Sequence, residues 1–236
     1  MLRRVFLCLF LVFWGGLGFS ADIALDHALA LIEEGRTTLD PSALDAARVE
    51  VVRLTQASPS NATYVYELAR VDFYIVDSDT ARHEKKPASE ALELAIGEAQ
   101  RAIALDAKFA EAHSLLGDLY GVKISLGGAF TGARYGPKII SENKIAEGLN
   151  PNSALVCASL GRQYLLTPKI FGGDQEKALE YFRKATQLAP SNDENFVWLG
   201  IGLRKHGDAP GAEKAFQMAL QLNPRSVFAK DSRAAK

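Results

Sequence analysis

The side chains most able to do chemistry are the histidines and a short acidic cluster, and neither has the spacing of a recognised site. The chain contains four widely separated histidines, His27, His83, His113 and His206. None lies in a His-Glu-x-x-His pattern, which places two zinc ligands on one helix face. Asp77-Ser78-Asp79 begins like a calcium-binding loop, but Arg82 and Ala88 stand where that loop needs glycine and glutamate. We therefore expect neither a metal nor a cofactor.

Two further segments contain residue types that bind phosphate or solvent. The glycine-rich stretch 121–136, which includes Arg134, lacks the Gly-Lys-Ser/Thr ending of a phosphate-binding loop, so we expect a flexible loop there. The charged stretch 77–86 is expected to be a solvated loop.

No Gly-x-Ser-x-Gly elbow is present, and we expect no enzymatic activity. The formal net charge of −1 argues against a nucleic-acid partner and against a polybasic membrane patch.

The first twenty residues differ from the rest of the chain and predict a signal peptide. Two arginines precede the uninterrupted apolar run Val5–Trp14. Gly18 and Ser20 supply the small residues that favour cleavage before Ala21. The apolar stretch is shorter than the ~20 residues that a membrane-spanning helix needs, although an uncleaved anchor is the alternative. A signal peptide at 1–20 predicts a periplasmic or secreted protein with no stable membrane insertion after cleavage.

Cysteine usage indicates that stability comes from packing and not from disulfides. Cys8 lies within the predicted signal peptide, so cleavage would leave Cys157 as the single cysteine. One cysteine cannot form an internal disulfide. The repeat pattern described next places Cys157 in a helix core, where a thiol behaves as a small apolar group.

Internal repetition is the strongest signal in the sequence. Short amphipathic, alanine-rich stretches end at turn sequences of similar composition, Ser58-Pro59-Ser60-Asn61, Asn150-Pro151-Asn152, Ala189-Pro190-Ser191-Asn192 and Asn223-Pro224-Arg225. Leu105-Asp106-Ala107 has the same surroundings without the proline. Because proline cannot continue a helix, each of these turns predicts the end of one helical unit.

The last unit, residues 193–226, shows the pattern most clearly. Small residues such as Gly200 and Ala219 permit two antiparallel helices to approach closely, and Phe216 fills the space beside them. Gly207-Asp208 provides the turn between the two helices. The unit resembles the tetratricopeptide repeat (TPR) family at Phe196, Leu199, Gly200, Leu203, Gly207, Asp208, Ala212, Phe216, Ala219 and Pro224.

The same pattern extends upstream in three longer units, 154–192, 110–153 and 62–109. Ile139 and Asn143 depart from it, so the second helix of unit 110–153 is the least regular. Residues 21–61 are interpreted as a degenerate N-terminal helix pair, and 227–236 as a short C-terminal tail. The resemblance covers residues 24–226 and implies an all-α solenoid of antiparallel helix pairs, about four and a half repeats long. The longer units also resemble irregular TPR proteins of bacterial envelopes.

The TPR resemblance implies where a partner would bind, because the first helix of each unit lines a concave groove in such stacks. The implied groove residues are Tyr66, Arg70, Tyr74, Asp118, Arg162 and Arg204. Tyrosine and arginine are side chains that anchor protein interfaces. We therefore expect apolar groups of a peptide to lie on the tyrosines and its acidic groups to lie against the arginines.

Two interpretations of function remain open at this point. The first is a non-catalytic scaffold that binds a protein or peptide partner outside the cytoplasm. The alternative is a small-molecule or lipid-binding TPR component that serves an envelope transporter. An open groove of mixed polarity would favour the first, and a deep apolar pocket the second. The groove would be closed if the inserts buried Phe73, Leu165 and Leu166.

Overall fold

The computed structural model describes residues 16–127 and 130–235, and over these ranges every regular element is a helix. The α-helices are α1 (Gly16–Thr38), α2 (Pro41–Ala57), α3 (Ala62–Ala81), α4 (Lys85–Leu105), α5 (Ala110–Leu126), α6 (Thr131–Leu149), α7 (Ala154–Leu166), α8 (Gln175–Leu188), α9 (Asp193–His206), α10 (Ala209–Leu222) and α11 (Val227–Ala234). A 3₁₀ turn, Lys169–Phe171, precedes α8. Residues 1–15 of the predicted signal peptide lie outside the described residues, and α1 continues across the predicted cleavage position at Ala21.

Consecutive helices pack as pairs, and the pairs stack in chain order. α1 packs on α2, α3 on α4, α5 on α6, α7 on α8 and α9 on α10, and the second helix of each pair also contacts the first helix of the next. The pair interfaces bury many alanines, including Ala95, Ala99 and Ala102 of α4, which allow the helix backbones to approach closely. Cys157 lies fully buried in this core. The expected all-α stack of helix pairs is confirmed.

The turns between units begin the next helix by capping it. Asn61 accepts hydrogen bonds from the backbone N–H groups of Thr63 and Tyr64, and Asn192 accepts one from Asn195. Both asparagines are the last residues of recurring turn sequences, so one short segment ends a helix and caps the next.

Glycine marks the places where the two helices of a pair meet. A Cβ atom on Gly200 would lie 2.6 Å from Cε1 of Phe216, and one on Gly161 would lie 2.4 Å from Cε1 of Phe182. Gly117 has the same role, but its neighbour is Asn143, whose Oδ1 would lie 2.7 Å from the added atom. Asn143 therefore stands where units 154–192 and 193–226 have phenylalanine, which explains its departure from the repeat pattern.

The buried amide of Asn143 is satisfied by polar partners on the next unit. Its Nδ2 donates to Oε1 of Gln163 at 2.9 Å, and its Oδ1 accepts from Ser159 at 3.0 Å. These bonds offset the cost of placing an amide in the core. Unit 110–153 is accordingly as helical as the others, because α6 runs over 19 residues.

The two expected loops are much shorter than predicted, because the inserts mainly lengthen helices and residues 82–84 alone form the turn between α3 and α4. In stretch 77–86, α3 continues to Ala81, and Ser78 donates a hydrogen bond of 2.9 Å to the carbonyl oxygen of Leu39. In stretch 121–136, α5 continues to Leu126 and α6 begins at Thr131. The polar residues of the first insert meet polar partners on the α1–α2 turn, so the chain gains by remaining helical there.

The expected C-terminal tail is also a helix, α11. Ser226 caps it through a hydrogen bond from the N–H of Ala229, which is fully buried. The ring of Phe228 lies 5.5 Å from that of Trp198 on α9. α11 therefore covers the apolar end of the last unit, as the terminal repeats of helical stacks must do.

The first and last helix pairs contact each other, so the stack closes on itself. Nη2 of Arg36 on α1 lies 2.6 Å from Oδ1 of Asp193 at the start of α9. Thr37 accepts a hydrogen bond of 2.9 Å from the amide of Asn223. Arg225 pairs with Glu34 at the surface. We call these three contacts the closure contacts.

Alanine substitution at two glycines tests the packing of the helix pairs. Gly200→Ala should lower the free energy of unfolding by ~1–3 kcal/mol, because the new methyl group overlaps the ring of Phe216. Gly97→Ala on α4 is the matched control, since nothing lies within 4 Å of its added Cβ. It should raise stability by ~0.5–1 kcal/mol through helix propensity. Urea unfolding measures both, and shifts of the same sign would contradict the packing.

A second pair of variants tests the closure contacts. The side chains of Arg36 and Asp193 are only 9% and 5% exposed, and one oxygen of Asp193 has no hydrogen-bond partner within the described residues. Arg36→Ala should therefore cost ~3–5 kcal/mol by leaving a buried carboxylate unpaired. Arg225→Ala, from a pair that is 63% and 40% exposed, should cost at most ~1 kcal/mol. Equal losses in urea unfolding would show that α1 does not close the stack.

Candidate partner-binding site

Five of the six predicted groove residues converge on one pocket in the concave face. Tyr66, Arg70 and Tyr74 are spaced four apart on α3, so they lie on one face of that helix. Asp118 comes from α5 and Arg162 from α7, each at the ninth position of its helix. Equivalent positions of successive units thus meet in the centre of the stack.

The pocket is small because the concave face is largely filled. It encloses about 50 Å³, which holds a few water molecules or the end of one side chain. It is lined by Tyr66, Arg70, Phe73, Tyr74, Glu111, Ser114, Leu115, Asp118, Leu155, Ala158, Arg162, Asn192, Glu194 and Asn195. The inserts do not fill it as the closed-groove alternative supposed, since Leu165 is buried but Leu166 is 59% exposed. The filling comes from side chains of the first helices themselves.

The two arginines of the pocket are already paired with carboxylates of the protein. Nε of Arg162 donates to Asp118 at 3.1 Å, and its Nη2 donates to the other oxygen of Asp118. The same guanidinium group lies 5.4 Å from the ring of Trp198. Arg70 donates to Glu67 at 2.7 Å. An acidic ligand would have to displace these internal carboxylates, so the geometry does not favour the acidic peptide expected from the sequence.

Tyr66 and Tyr74 are largely buried and do not form an open surface. Tyr66 is 6% exposed, and its ring lies 4.7 Å from that of Phe109. Burial raises the pKa of the Tyr66 hydroxyl well above its usual value. Burial, with a smaller contribution from Glu194, raises the pKa of Tyr74 to about 12. Both hydroxyls therefore stay protonated and can donate hydrogen bonds into the pocket.

Two carboxylates of the pocket, those of Glu111 and Glu194, are less closely paired with opposite charges than the two arginines are. Glu194 accepts a hydrogen bond of 3.4 Å from Nε1 of Trp198 and lies 3.8 Å from both Arg36 and Arg162, within ion-pair distance but too far for a hydrogen bond to either. Glu111 contacts only the amide of Asn150, at 3.4 Å, among its described hydrogen-bond partners. The local field around these groups is therefore negative.

Asp77 follows Arg70 and Tyr74 on the same face of α3 and is not one of the residues that line the pocket. Burial is the largest cause that raises its pKa to about 7, and repulsion from Glu194 and Asp118 acts in the same direction. Arg162 opposes the shift. No hydrogen bond to the Asp77 carboxyl occurs within the described part of the chain. Asp77 is therefore a carboxyl group whose pKa lies near neutral pH. The opposing cation, Arg162, is paired with Asp118 and does not offset the effect of burial.

Arg204 does not belong to the pocket. Its guanidinium group donates to the carbonyl oxygens of Ser232 and Ala235, at 2.6 and 2.7 Å, and lies 4.6 Å from the ring of Phe216. These carbonyls are at the end of α11, where a cation complements the helix dipole. Arg204 therefore fixes α11 on the last unit, a role that the tail assignment could not foresee.

Two carboxyl groups of the site escaped the sequence analysis. Asp77 was assigned to a loop, although it follows Arg70 by seven residues and Tyr74 by three, a spacing that already indicates the same helix face. Glu67 does not lie at one of the groove positions implied by the TPR resemblance, and its pairing with Arg70 is visible only in three dimensions. Within the described ranges, no group of three or more His, Cys, Asp or Glu residues could hold a metal ion. No helix in those ranges is long and apolar enough to span a bilayer.

Comparison with known proteins supports the fold. No family model and no curated protein matches the chain. Among solved structures, the chain is similar to TTC0263, a thermophilic TPR protein of Thermus thermophilus, with a TM-score of 0.66 and 20% identity over 91% of this chain and 97% of that one. YrrB, a TPR protein with an unusual peptide-binding site, aligns with a TM-score of 0.42, 15% identity and 92% and 97% coverage. MamA of Desulfovibrio magneticus RS-1 aligns at 0.41, with 12% identity and 91% and 97% coverage. The similarity to TTC0263 and the helix-pair geometry together establish that this chain has the TPR fold.

Proposed function

We propose that the protein is a non-catalytic scaffold that binds a protein partner by receiving one basic side chain in the concave pocket. The observation that carries the proposal is the set of carboxyl groups, Asp77, Glu111 and Glu194, that no cation of the protein fully neutralises. Arg70 and Arg162 are held by Glu67 and Asp118, so they compensate little else. A lysine or arginine from a partner supplies the missing charge.

The size and lining of the pocket fit the end of a long side chain. About 50 Å³ of enclosed space excludes a folded segment but admits an ammonium or guanidinium group. Leu155, which is 43% exposed, and Leu115 lie beside the charged groups. The methylene groups of a lysine or arginine can pack on these leucines while the charged end meets the carboxylates. The rest of the partner would then lie on the surface outside the pocket.

The location of the protein outside the cytoplasm is part of the proposal. It is supported by the arginines and apolar run at the start of the sequence and by the small residues before Ala21. Packing and ion pairs stabilise the fold, and Cys157 is buried in the core. The fold therefore needs no disulfide, and the described residues present no exposed pair of thiols, which is compatible with an oxidising compartment.

Binding to the pocket should depend on charge and on pH. Host peptides that differ only in one central residue, Lys, Met or Glu, can be compared by calorimetry. We expect the Lys peptide to bind best, and its affinity to rise between pH 6 and pH 8 as Asp77 ionises around pH 7. Asp77→Asn should weaken binding at pH 8 by about tenfold, because it removes one negative charge near the bound cation, and should remove the pH dependence.

Asp77→Asn should also change how the stability of the protein depends on pH. The ordinary pKa of an aspartate is 3.8 and that of Asp77 in the folded protein is about 7, so the folded state retains a proton that the unfolded state has released. Stability should therefore fall as pH rises between these values, and less so in Asp77→Asn. Glu180→Gln, at an exposed side chain of α8 that makes no ion pair in the described part of the chain, is the control and should change neither property. Equal binding of the three peptides contradicts the proposal, and binding of a free alkylamine as tight as that of the Lys peptide favours the small-molecule alternative.

Export predicts a processed N-terminus. Mass spectrometry of protein recovered from its native compartment should show a chain that begins near Ala21, because Gly18 and Ser20 fit the cleavage site. A chain that still begins at Met1 would contradict cleavage and support the uncleaved anchor.

A further inference from the structure

The segment around the start of α6 is unusual in its charge. Between Asp118 and Glu142 the chain has three basic residues, Lys123, Arg134 and Lys138, and no acidic residue. The whole chain has 28 acidic and 27 basic residues. A segment of this length with basic residues and no acidic residue is therefore unusual for this chain. The overall charge therefore hides a basic surface.

The fold gathers these three cations around one aromatic ring. Nζ of Lys123 lies 5.4 Å, Cζ of Arg134 lies 5.4 Å and Nζ of Lys138 lies 5.3 Å from the ring centre of Tyr135. Because all three surround the same ring, no two of them are further apart than about 11 Å. Such distances suit contact with one or two phosphate groups.

Little negative charge from the protein offsets this cluster. Lys123 pairs with Glu93 on α4. Arg134 and Lys138 make no ion pair with a carboxylate in the described part of the chain, and both are exposed. Like charges held this close repel each other, and an external anion would relieve that repulsion.

Apolar side chains protrude beside the cations. Phe130, directly before α6, is 92% exposed, and Ile140 and Ile145 on the outer face of α6 are 46% and 41% exposed. Large apolar groups this exposed, with basic residues between them, are typical of helices that lie in a membrane interface. We call Phe130, Arg134, Lys138, Ile140 and Lys144 the α6 face.

The equivalent helices of neighbouring units have ordinary solvated faces. α4 has the exposed glutamates Glu90 and Glu93, and α8 has Glu176 and Glu180. In α6 the glutamates at positions 142 and 147 are turned inward, where they meet His113 and Tyr181. The outer face of α6 thus has no exposed acidic residue, whereas the same surface of its neighbours does.

We propose that the α6 face docks on an anionic phospholipid bilayer. The lysines and the arginine contact lipid phosphates, and Phe130 and Ile140 enter the interface between head groups and acyl chains. A flat anionic surface fits better than a soluble phosphate, because Arg134, Lys138 and Lys144 lie on the exposed side of α6 with apolar groups between them and not in a closed pocket. The contact is peripheral and leaves the concave pocket free for a partner.

Lipid titrations of the full chain test the proposal. Vesicles of phosphatidylcholine alone and of phosphatidylcholine with phosphatidylglycerol are compared by sedimentation at low ionic strength. The wild type should partition more strongly onto the anionic vesicles, and salt should weaken this preference. Arg134→Gln with Lys138→Gln should lower the partition constant about fivefold for each cation removed. Phe130→Ser should lower partition onto both kinds of vesicle.

Matched controls are available elsewhere on the surface. Lys177→Gln with Lys214→Gln removes two exposed lysines from α8 and α10, and Ile170→Ser removes a side chain that is 85% exposed. Neither control should change the partition constant. The apolar N-terminal run is the same in every variant, so its contribution cancels in the ratios.

Three results would overturn the proposal. The first is equal partition of the wild type onto the two kinds of vesicle. The second is a partition constant that the Arg134 and Lys138 substitutions leave unchanged, or that the control substitutions lower equally. The third is binding of inorganic phosphate that depends on Arg134 and Lys138 without a preference for anionic vesicles, which would identify a site for a free anion.

Discussion

The close approach of the two helices in each pair is the contact on which the rest of the structure depends. At Gly161 and Gly200 the backbone of the first helix lies directly against a phenylalanine ring of the second, so a side chain on either residue would push the pair apart. Where this distance is kept, the second helix of each pair can pack against the first helix of the next, and the pairs stack in chain order. The concave face, lined by the first helices, depends on that stacking.

The inserts alter the length of the helices and leave their packing unchanged. α3 and α5 run on past the usual turn, and the added turns of α3 carry Asp77 into the centre of the stack. Side chains from α3, α5, α7 and α9 then fill most of the concave face. The result is a small, charged pocket in place of a long groove. A site that recognises one charged group is a more natural outcome of this geometry than one that holds an extended peptide.

Much of the fold could be predicted from the sequence because its cause is local. Turn sequences such as Asn223-Pro224-Arg225, and small residues at fixed spacing such as Gly200, specify helix ends and contacts within a pair. The inserts could not be predicted, because glycine-rich and charged stretches resemble loops unless a neighbouring element supplies partners. The hydroxyl group of Ser78 donates a hydrogen bond to the carbonyl oxygen of Leu39 in this way, and the local sequence does not predict this contact.

The ion pairs of the candidate site could not be predicted from the sequence. The repeat pattern gave Tyr66, Arg70 and Arg162 as groove residues, and these residues line one pocket in the structure, but the pattern treated the arginines as free. Their pairing with Glu67 and Asp118 depends on the rotation between units and on helix lengths. The location of Arg204 outside the pocket was unpredictable for a similar reason, since its hydrogen-bond partners lie at the end of a helix that the sequence analysis had assigned as a tail.

Closure of the stack has a consequence for how such a chain can vary and fold. An open solenoid can gain or lose a unit at its end with little effect on the others. Here the closure contacts join residues that are 157 to 191 positions apart, so an added unit would carry the two ends out of reach. The number of units is therefore fixed by geometry. The same long-range contacts raise the mean sequence separation of contacting residues, which slows folding relative to an open stack of equal length.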